Sequence, residues 1–262
     1  MENLSRCGII ILYDPMSGTG HSLTRDIPTF TENGVRTMIT YKLFMIRHGL
    51  TEANFDGRYI GSTDLPLCRE GREALKKLAK TREYPGVGRV YSPPLLRCTE
   101  TAEIIYPGHT PVLVDKLREY SFGVFENKTV AELATTEAFK RWSDSGMREP
   151  PLGGEDREVF LHRCEEGFKW VLEDMMRHRI TSAALICHSG VMMNLLAHYG
   201  YPRLEPLRWK AEPGEGFTAL VTASLWQRAE VFEVVDPIPY HKDDRREPAS
   251  YGIYDVNGEK DD

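Results

Sequence analysis

The sequence has little of what marks several large classes of protein. Its five cysteines are scattered and never spaced as C-x-x-C, so they indicate reduced thiols rather than a disulfide framework. Acidic residues outnumber basic residues by 39 to 33, and the formal net charge of −6 gives no support for nucleic-acid binding. No apolar run has the length of a membrane-spanning helix. We therefore expect a cytoplasmic protein that binds neither nucleic acid nor a membrane.

The two ends of the chain differ in composition from the middle. The first 15 residues contain only a short apolar core and no small-residue cleavage site, so we expect no signal peptide. The glycine-containing stretch SGTGHS at 17–22 lacks the lysine of a phosphate-binding loop. Charged residues dominate from position 241 onward. We predict an N-terminal extension of unknown role at 1–37, a globular domain at 38–240 and a charged C-terminal tail at 241–262.

Short apolar runs alternate with amphipathic stretches through the middle of the chain. The predicted strands lie at 41–46, 88–94, 111–117 and 182–187, with paired strands at 217–235. The predicted helices lie at 70–83, 95–105, 129–142, 155–178 and 190–200. On the fourth of these helices, the buried face is expected to include Val159 and Phe160. This alternation predicts an α/β fold, a three-layer α/β/α sandwich around a largely parallel sheet.

The first predicted strand ends in Arg47, His48 and Gly49. In such sheets, ligands bind beyond the carboxyl ends of the strands. The planar arginine side chain suits phosphate, and glycine lets the backbone approach a ligand closely. A single histidine in this place is more often just a hydrogen-bonded polar residue, but the neighbouring residues favour a phosphate site. Thr51 and Asn54 add short polar groups just after it.

A second histidine, His188, repeats this arrangement. It follows the apolar strand ALIC and is followed by Ser189 and Gly190. Metal binding by His48 and His188 is an alternative, but neither stands in a cluster with the spacing of metal ligands. We expect no metal and no cofactor.

Five stretches of this sequence, taken in order, carry a family resemblance. Arg-His-Gly-x-Thr-x-x-Asn at 47–54 resembles the signature of the histidine phosphatase superfamily, the phosphoglycerate-mutase-like proteins. Later family blocks resemble GRYIGSTDLPLCREG (57–71), VYSPPLLRCTETAEII (90–105), LREYSFGVFE (117–126) and ALICHSGVMMNLL (184–196). The segment GGED (153–156) departs from the pattern, because Asp156 stands where the family usually has serine. The resemblance covers residues 42–239 and implies phosphoryl transfer.

The resemblance also implies roles for individual residues. The implied catalytic residues are His48 as the nucleophile, Glu119 as the proton donor, and Arg47, Arg97 and His188 as groups that neutralise the phosphoryl oxygens. The implied substrate-binding residues are Gly49, Thr51, Asn54, Gly61 and Ser189. Taken singly, Arg97 and Glu119 are more simply explained as surface charges. If Glu119 is not the acid, Glu126 and Glu155 are the next candidates.

The expected function is that of a phosphomonoesterase, a phosphoric monoester hydrolase of the histidine phosphatase type. It would hydrolyse a small phosphorylated metabolite through a phosphohistidine intermediate. A phosphoglycerate mutase is a second candidate, although the separation of 69 positions from Glu119 to His188 is short for that branch. An α-ribazole phosphatase, a sugar-phosphate phosphatase and a catalytically silent phosphate-binding module are further candidates. The oligomeric state stays open, with a homodimer among the options.

Overall fold

The fold is seen in a computed structural model, which describes residues 39–242. The predicted extension (1–37) and nearly all of the predicted tail (241–262) lie outside this range, so these boundaries stay predictions. The strands are β1 (Thr40–Arg47), β2 (Arg82–Glu83), β3 (Arg89–Ser92), β4 (Val112–Leu113), β5 (Ser182–Cys187), β6 (Gly200–Tyr201), β7 (Gly216–Thr222), β8 (Phe232–Ile238) and β9 (Tyr240–His241). The helices are α1 (Glu52–Phe55), α2 (Arg69–Thr81), α3 (Leu96–Ile105), α4 (Val130–Leu133), α5 (Glu137–Asp144), α6 (Arg157–Arg177), α7 (Ser189–Tyr199) and α8 (Ala223–Ala229).

A seven-stranded sheet has the order β4-β3-β5-β1-β7-β8-β6. β1 pairs in parallel with β5, and β3 pairs in parallel with both β5 and β4. β6 also pairs in parallel with β8, whereas β7 runs antiparallel to β1 and β8. The sheet is therefore largely parallel, as predicted. Strands β2 and β9 form a separate antiparallel pair.

Side chains of β1 alternate between two cores, because successive residues of a strand point to opposite faces of a sheet. Leu43 and Met45 pack in one core with side chains from α6, α7 and α8. Phe44 and Ile46 pack in the other core with side chains from α2 and α3. Burial of each such side chain contributes roughly 1.5–3 kcal/mol to the stability of the fold, so β1 is held by packing on both of its faces. Helices cover both faces of the sheet, and the three-layer α/β/α sandwich is confirmed.

Two predicted elements are shorter than expected. The predicted strand at 111–117 is reduced to β4 at the edge of the sheet, followed by a 3-10 turn over Asp115–Leu117. An edge strand has a pairing partner on one side only, and Leu113 is 57% exposed there. The predicted helix at 129–142 is divided into α4 and α5. The division comes just before Thr136, whose side chain accepts from the N–H of Phe139 and so starts a new helix.

The strand pairing predicted at 217–235 is confirmed, because β7 and β8 form an antiparallel pair there. The prediction missed α8, which lies between these strands and ends at Glu230 in the left-handed conformation. On α6, Phe160 is buried as predicted whereas Val159 is 57% exposed. Val159 lies in the first turn of α6, where less of the helix surface is covered, whereas the adjacent residues Val171 and Leu172 further along the helix are both fully buried.

Candidate active site

Two histidines lie side by side at the carboxyl edge of the sheet. His48 directly follows β1 and His188 directly follows β5, and these strands pair in parallel with Arg47 opposite Cys187. The N–H of His48 donates to the carbonyl of Cys187 at 2.9 Å, which continues the ladder by one residue. The ring centroids are 5.2 Å apart, and both residues are buried. The structure thus brings together two histidines that are 140 positions apart in the chain.

The His48 ring is held in one orientation by its neighbour. Its Nδ1 lies 2.7 Å from the carbonyl oxygen of Gly49. Because a carbonyl oxygen only accepts, Nδ1 carries the proton and Nε2 keeps its lone pair. Burial, together with the charges of Arg97 and Arg47, lowers the pKa of His48 from 6.5 to about 3. The ring is therefore neutral at physiological pH, as a nitrogen nucleophile must be.

His188 is also a neutral ring in this site. Burial lowers its pKa well below 6.5, and the charge of Arg97 and the His48 ring act in the same direction. The Sγ atom of Cys98 lies 3.6 Å from Nε2 of His188, and burial raises the pKa of this thiol above its usual range. Cys98 thus lies beside His188 as an uncharged thiol.

Gly49 packs closely against the Leu75 side chain. A Cβ atom at this position would lie 2.5 Å from Cδ1 of Leu75, so the leucine side chain would have to shift to accept any other residue. The N–H of Gly49 donates to Oγ1 of Thr101 at 2.9 Å, and Thr101 donates to the carbonyl of Arg97 at 2.6 Å. The loop that follows His48 is therefore tied to the helix that carries Arg97.

Both arginines have N–H groups that the described residues leave unsatisfied. Nη1 of Arg47 donates to Ala211 O at 2.8 Å, whereas Nη1 and Nη2 of Arg97 donate to Thr63 O and Gly61 O at 2.8 and 2.7 Å. Among residues 39–242, the buried Nε atoms of Arg47 and Arg97 find no hydrogen-bond partner. Unpaired buried donors are rare, and a bound oxyanion would satisfy them.

The carboxyl group of Glu119 is buried beside the start of α7. Its Oε1 accepts from the N–H of Tyr120 at 3.0 Å, and its Oε2 accepts from the N–H of Gly190 at 2.9 Å. Burial raises the pKa of Glu119 even though these hydrogen bonds and the charge of Arg97 oppose the shift. A Cβ atom at position 190 would lie 2.4 Å from Oε1, so only glycine allows this approach. The raised pKa favours the protonated form of this carboxyl group, the form that a proton donor needs.

The structure adds Arg163 on α6 and explains Glu155. Arg163 donates to the carbonyl of Glu119 at 3.0 Å and forms a two-point ion pair with Glu155, at 2.6 and 2.7 Å. The Arg163 side chain thus holds the backbone at Glu119. Both alternative acids already have other partners: Glu155 is bound by Arg163. Glu126 accepts from a set of backbone N–H groups.

The predicted substrate-binding residues lie around this cluster. Thr51 and Asn54 form a capping box at the start of α1, with Thr51 Oγ1 donating to Asn54 Oδ1 at 2.9 Å. Gly61 accepts from Arg97, and Ser189 is the first residue of α7, next to His188. The structure therefore gives Thr51 a local structural role, and contact of these four residues and of Gly49 with substrate stays a prediction.

Asp156, which departs from the family pattern, caps α6. Its Oδ1 accepts from the N–H groups of Glu158 and Val159 at 2.8 and 3.2 Å. Serine and aspartate are both favoured at this position, because each offers an oxygen to the free N–H groups of the first turn. The substitution keeps the local structure next to Glu155.

The described part of the chain offers neither a cluster of metal ligands nor a membrane-spanning helix. No group of three or more histidine, cysteine or acidic side chains within residues 39–242 is arranged to hold a metal ion. Within the same range, no helix is both long enough and apolar enough to cross a membrane.

The fold and this cluster of side chains are those of a phosphoglycerate-mutase-like protein. Residues 43–222 match the histidine phosphatase superfamily (branch 1), and the chain belongs to that family.

Relatives differ in the activity that their names state. The chain is 28% identical over 160 residues to the adenosylcobalamin/α-ribazole phosphatase of Escherichia coli, covering 60% of this chain and 77% of that protein. It is also 28% identical over 178 residues to phosphoglycerate mutase-like protein 4 of Arabidopsis thaliana, covering 65% and 74%. The crystal structure of the α-ribazole phosphatase from Shigella flexneri matches with a TM-score of 0.63 at 22% identity, covering 74% and 94%.

Proposed function

We propose that the protein is a phosphomonoesterase that hydrolyses a small phosphorylated metabolite through a phosphohistidine on His48. The observation that carries this proposal is the state of the His48 ring, with Nδ1 bound to Gly49 O and a pKa of about 3. Nε2 is then free to attack phosphorus at neutral pH. Membership of the histidine phosphatase superfamily supports phosphoryl transfer.

In the first step, Nε2 of His48 bonds to phosphorus while the bond from phosphorus to the leaving oxygen breaks. Glu119 gives its proton to that oxygen, which would otherwise leave as a strongly basic alkoxide. The free N–H groups of Arg47 and Arg97 donate to the non-bridging oxygens. Such fixed donors stabilise the transition state because they need no reorganisation when the charge moves.

In the second step, a water molecule attacks the phosphorus of phosphohistidine. The Glu119 carboxylate takes the proton from the water, the phosphorus–nitrogen bond breaks, and His48 returns to its neutral form. Glu119 then holds a proton again for the next cycle. Burial raises the pKa of Glu119, which supports this alternation because the shift favours the protonated form that the first step needs.

We place the substrate among small metabolites of the cytoplasm, with no metal required by the reaction. The name of the E. coli relative makes α-ribazole phosphate one compound to test first. A screen of about a hundred phosphorylated metabolites would identify the leaving group, since differences in kcat/KM measure selection in the transition state.

Trapping of the intermediate tests the proposal. Rapid quenching during turnover is expected to leave acid-labile, base-stable phosphate on the peptide that contains His48. His48→Ala should remove both the label and the activity, whereas His162→Ala, at an exposed position on α6, should keep both. Label on His188 instead would contradict the assignment. Transfer of the phosphate to an alcohol in preference to water would identify a mutase.

A further inference from the structure

One carboxylate, that of Glu126, holds three consecutive residues of a loop. Its oxygens accept from the N–H groups of Gly61 at 3.1 Å, Ser62 at 3.0 Å and Thr63 at 3.3 Å. The Thr63 hydroxyl donates to it at 2.6 Å, and the N–H of Phe122 donates at 2.9 Å. Few carboxylates receive so many donors, and the arrangement indicates a fixed position for the loop.

The same loop holds Arg97 on its other side. The carbonyl of Gly61 accepts from Nη2 at 2.7 Å, and the carbonyl of Thr63 accepts from Nη1 at 2.8 Å. Glu126 thus binds the N–H groups of two residues whose carbonyl groups bind the guanidinium group. Arg97 is only 1% exposed, so it has no water shell to replace a lost carbonyl.

The loop has little freedom to move without disturbing the site. A Cβ atom on Gly61 would lie 1.6 Å from the carbonyl oxygen of Tyr120, the residue after Glu119. Burial alone would raise the pKa of Glu126, but the hydrogen bonds from Thr63, Phe122 and Gly61 outweigh it and keep the pKa low. The carboxylate therefore stays ionised, with oxygens that only accept.

From this chain of contacts we propose that Glu126 is a positioning residue, which acts through residues 61–63 to orient the Arg97 guanidinium group toward the phosphoryl oxygens. The proposal rests on the proposed function for the identity of the ligand. Glu126 is not a catalytic residue, because its hydrogen bonds go to backbone and hydroxyl groups of the loop and to Phe122.

The test compares Glu126→Gln with a matched control, Glu132→Gln. Glu132 also accepts from backbone and hydroxyl groups, those of Thr129, but it lies in the capping box of α4 and does not touch the loop. The glutamine side chain has one oxygen that accepts and one NH₂ group that only donates. That NH₂ group would face N–H groups of the loop that need an acceptor, so the loop should shift. A displacement of about 1 Å at a reacting group costs on the order of 10²-fold in rate. We expect a loss of that size in kcat/KM on nitrophenyl phosphate for Glu126→Gln and less than a twofold change for Glu132→Gln.

A double-mutant cycle separates positioning from general destabilisation. In an Arg97→Ala background, Glu126→Gln should cost little more, because the group that it orients is absent. A full loss of about 10²-fold in that background would overturn the proposal. Glu126→Asp keeps the charge on a shorter side chain and is expected to recover part of the activity.

Binding of inorganic phosphate, measured by calorimetry, gives a readout that does not depend on turnover. Glu126→Gln should weaken binding by at least tenfold relative to wild type and to Glu132→Gln. Equal affinity in all three proteins would overturn the proposal. If the wild-type protein binds phosphate but hydrolyses no ester, the proposed function fails while the role of Glu126 in orienting Arg97 is still decided by these affinities.

Discussion

The buried state of His48 predicts a loss of stability in acid. Its pKa falls from 6.5 to about 3 in the folded protein, so the folded state excludes a proton that the unfolded chain binds. The stability that the folded protein gains from a neutral His48 is fully present above the pKa of the unfolded chain, 6.5. It is lost as the pH falls from 6.5 toward the folded pKa of about 3. Each pH unit in this window costs about 1.36 kcal/mol, so at about pH 4.5 the loss due to His48 is roughly 2.7 kcal/mol. Typical domains have a total stability of about 5–15 kcal/mol, so the loss is measurable.

The perturbation is His48→Asn, which removes the titrating ring and keeps a side-chain N–H that can donate toward Gly49 O. Urea unfolding at a series of pH values from 7 to about 4.5 gives the free energy of unfolding for each protein. In the wild-type protein the free energy of unfolding should fall between pH 7 and about pH 4.5. In the variant this fall should be smaller by roughly 2.7 kcal/mol. The control is His162→Gln, at an exposed position on α6, which should keep the wild-type dependence. Identical pH dependence in His48→Asn and wild type would refute the reasoning.

Three other predictions concern the reaction and the chain. Glu119→Gln should cost about 10²- to 10⁴-fold on alkyl phosphates but little on nitrophenyl phosphate, whose oxygen leaves without a proton; equal losses would point to another role. Because the raised pKa keeps Glu119 protonated to higher pH, the variant should also lose the fall in kcat at alkaline pH. Treatment with a chelator should leave the rate unchanged, and activity restored by a divalent ion would contradict this. A chain beginning at Met38 should fold and keep its activity, since the family match spans 43–222, and an insoluble product would place residues 1–37 in the core.

The histidine pair could be predicted because its signal is local. His48 and His188 each follow a short apolar strand, and parallel strands end at the same edge of a sheet. The sequence alone therefore predicts that the two rings approach each other once β1 and β5 are neighbours. The strand pairing at 217–235 was also predictable, but the short helix α8 within it was not, since its apolar residues suit a strand as well as a helix.

The supporting residues could not be predicted in the same way. Glu126 binds backbone N–H groups more than 60 positions earlier in the chain, and every residue except proline has such a group. Arg163 likewise recognises carbonyl groups, including that of Glu119. Backbone partners leave no trace in the side-chain pattern, so only the folded arrangement reveals these contacts. The capping box of Thr51 and Asn54 is different, because its spacing is visible in the sequence yet competes there with a ligand-binding interpretation.

The charge of His188 in the structure differs from the positive charge that the family resemblance implies for it. Arg47 and Arg97 carry the positive charge, while burial and Arg97 keep His188 neutral in the protein alone. A phosphate dianion reverses the sign of the electrostatic effect on His188, because a negative charge nearby favours the imidazolium form. We therefore expect His188 to take up a proton when the anion binds, so that the cationic role implied by the resemblance would arise together with the bound anion.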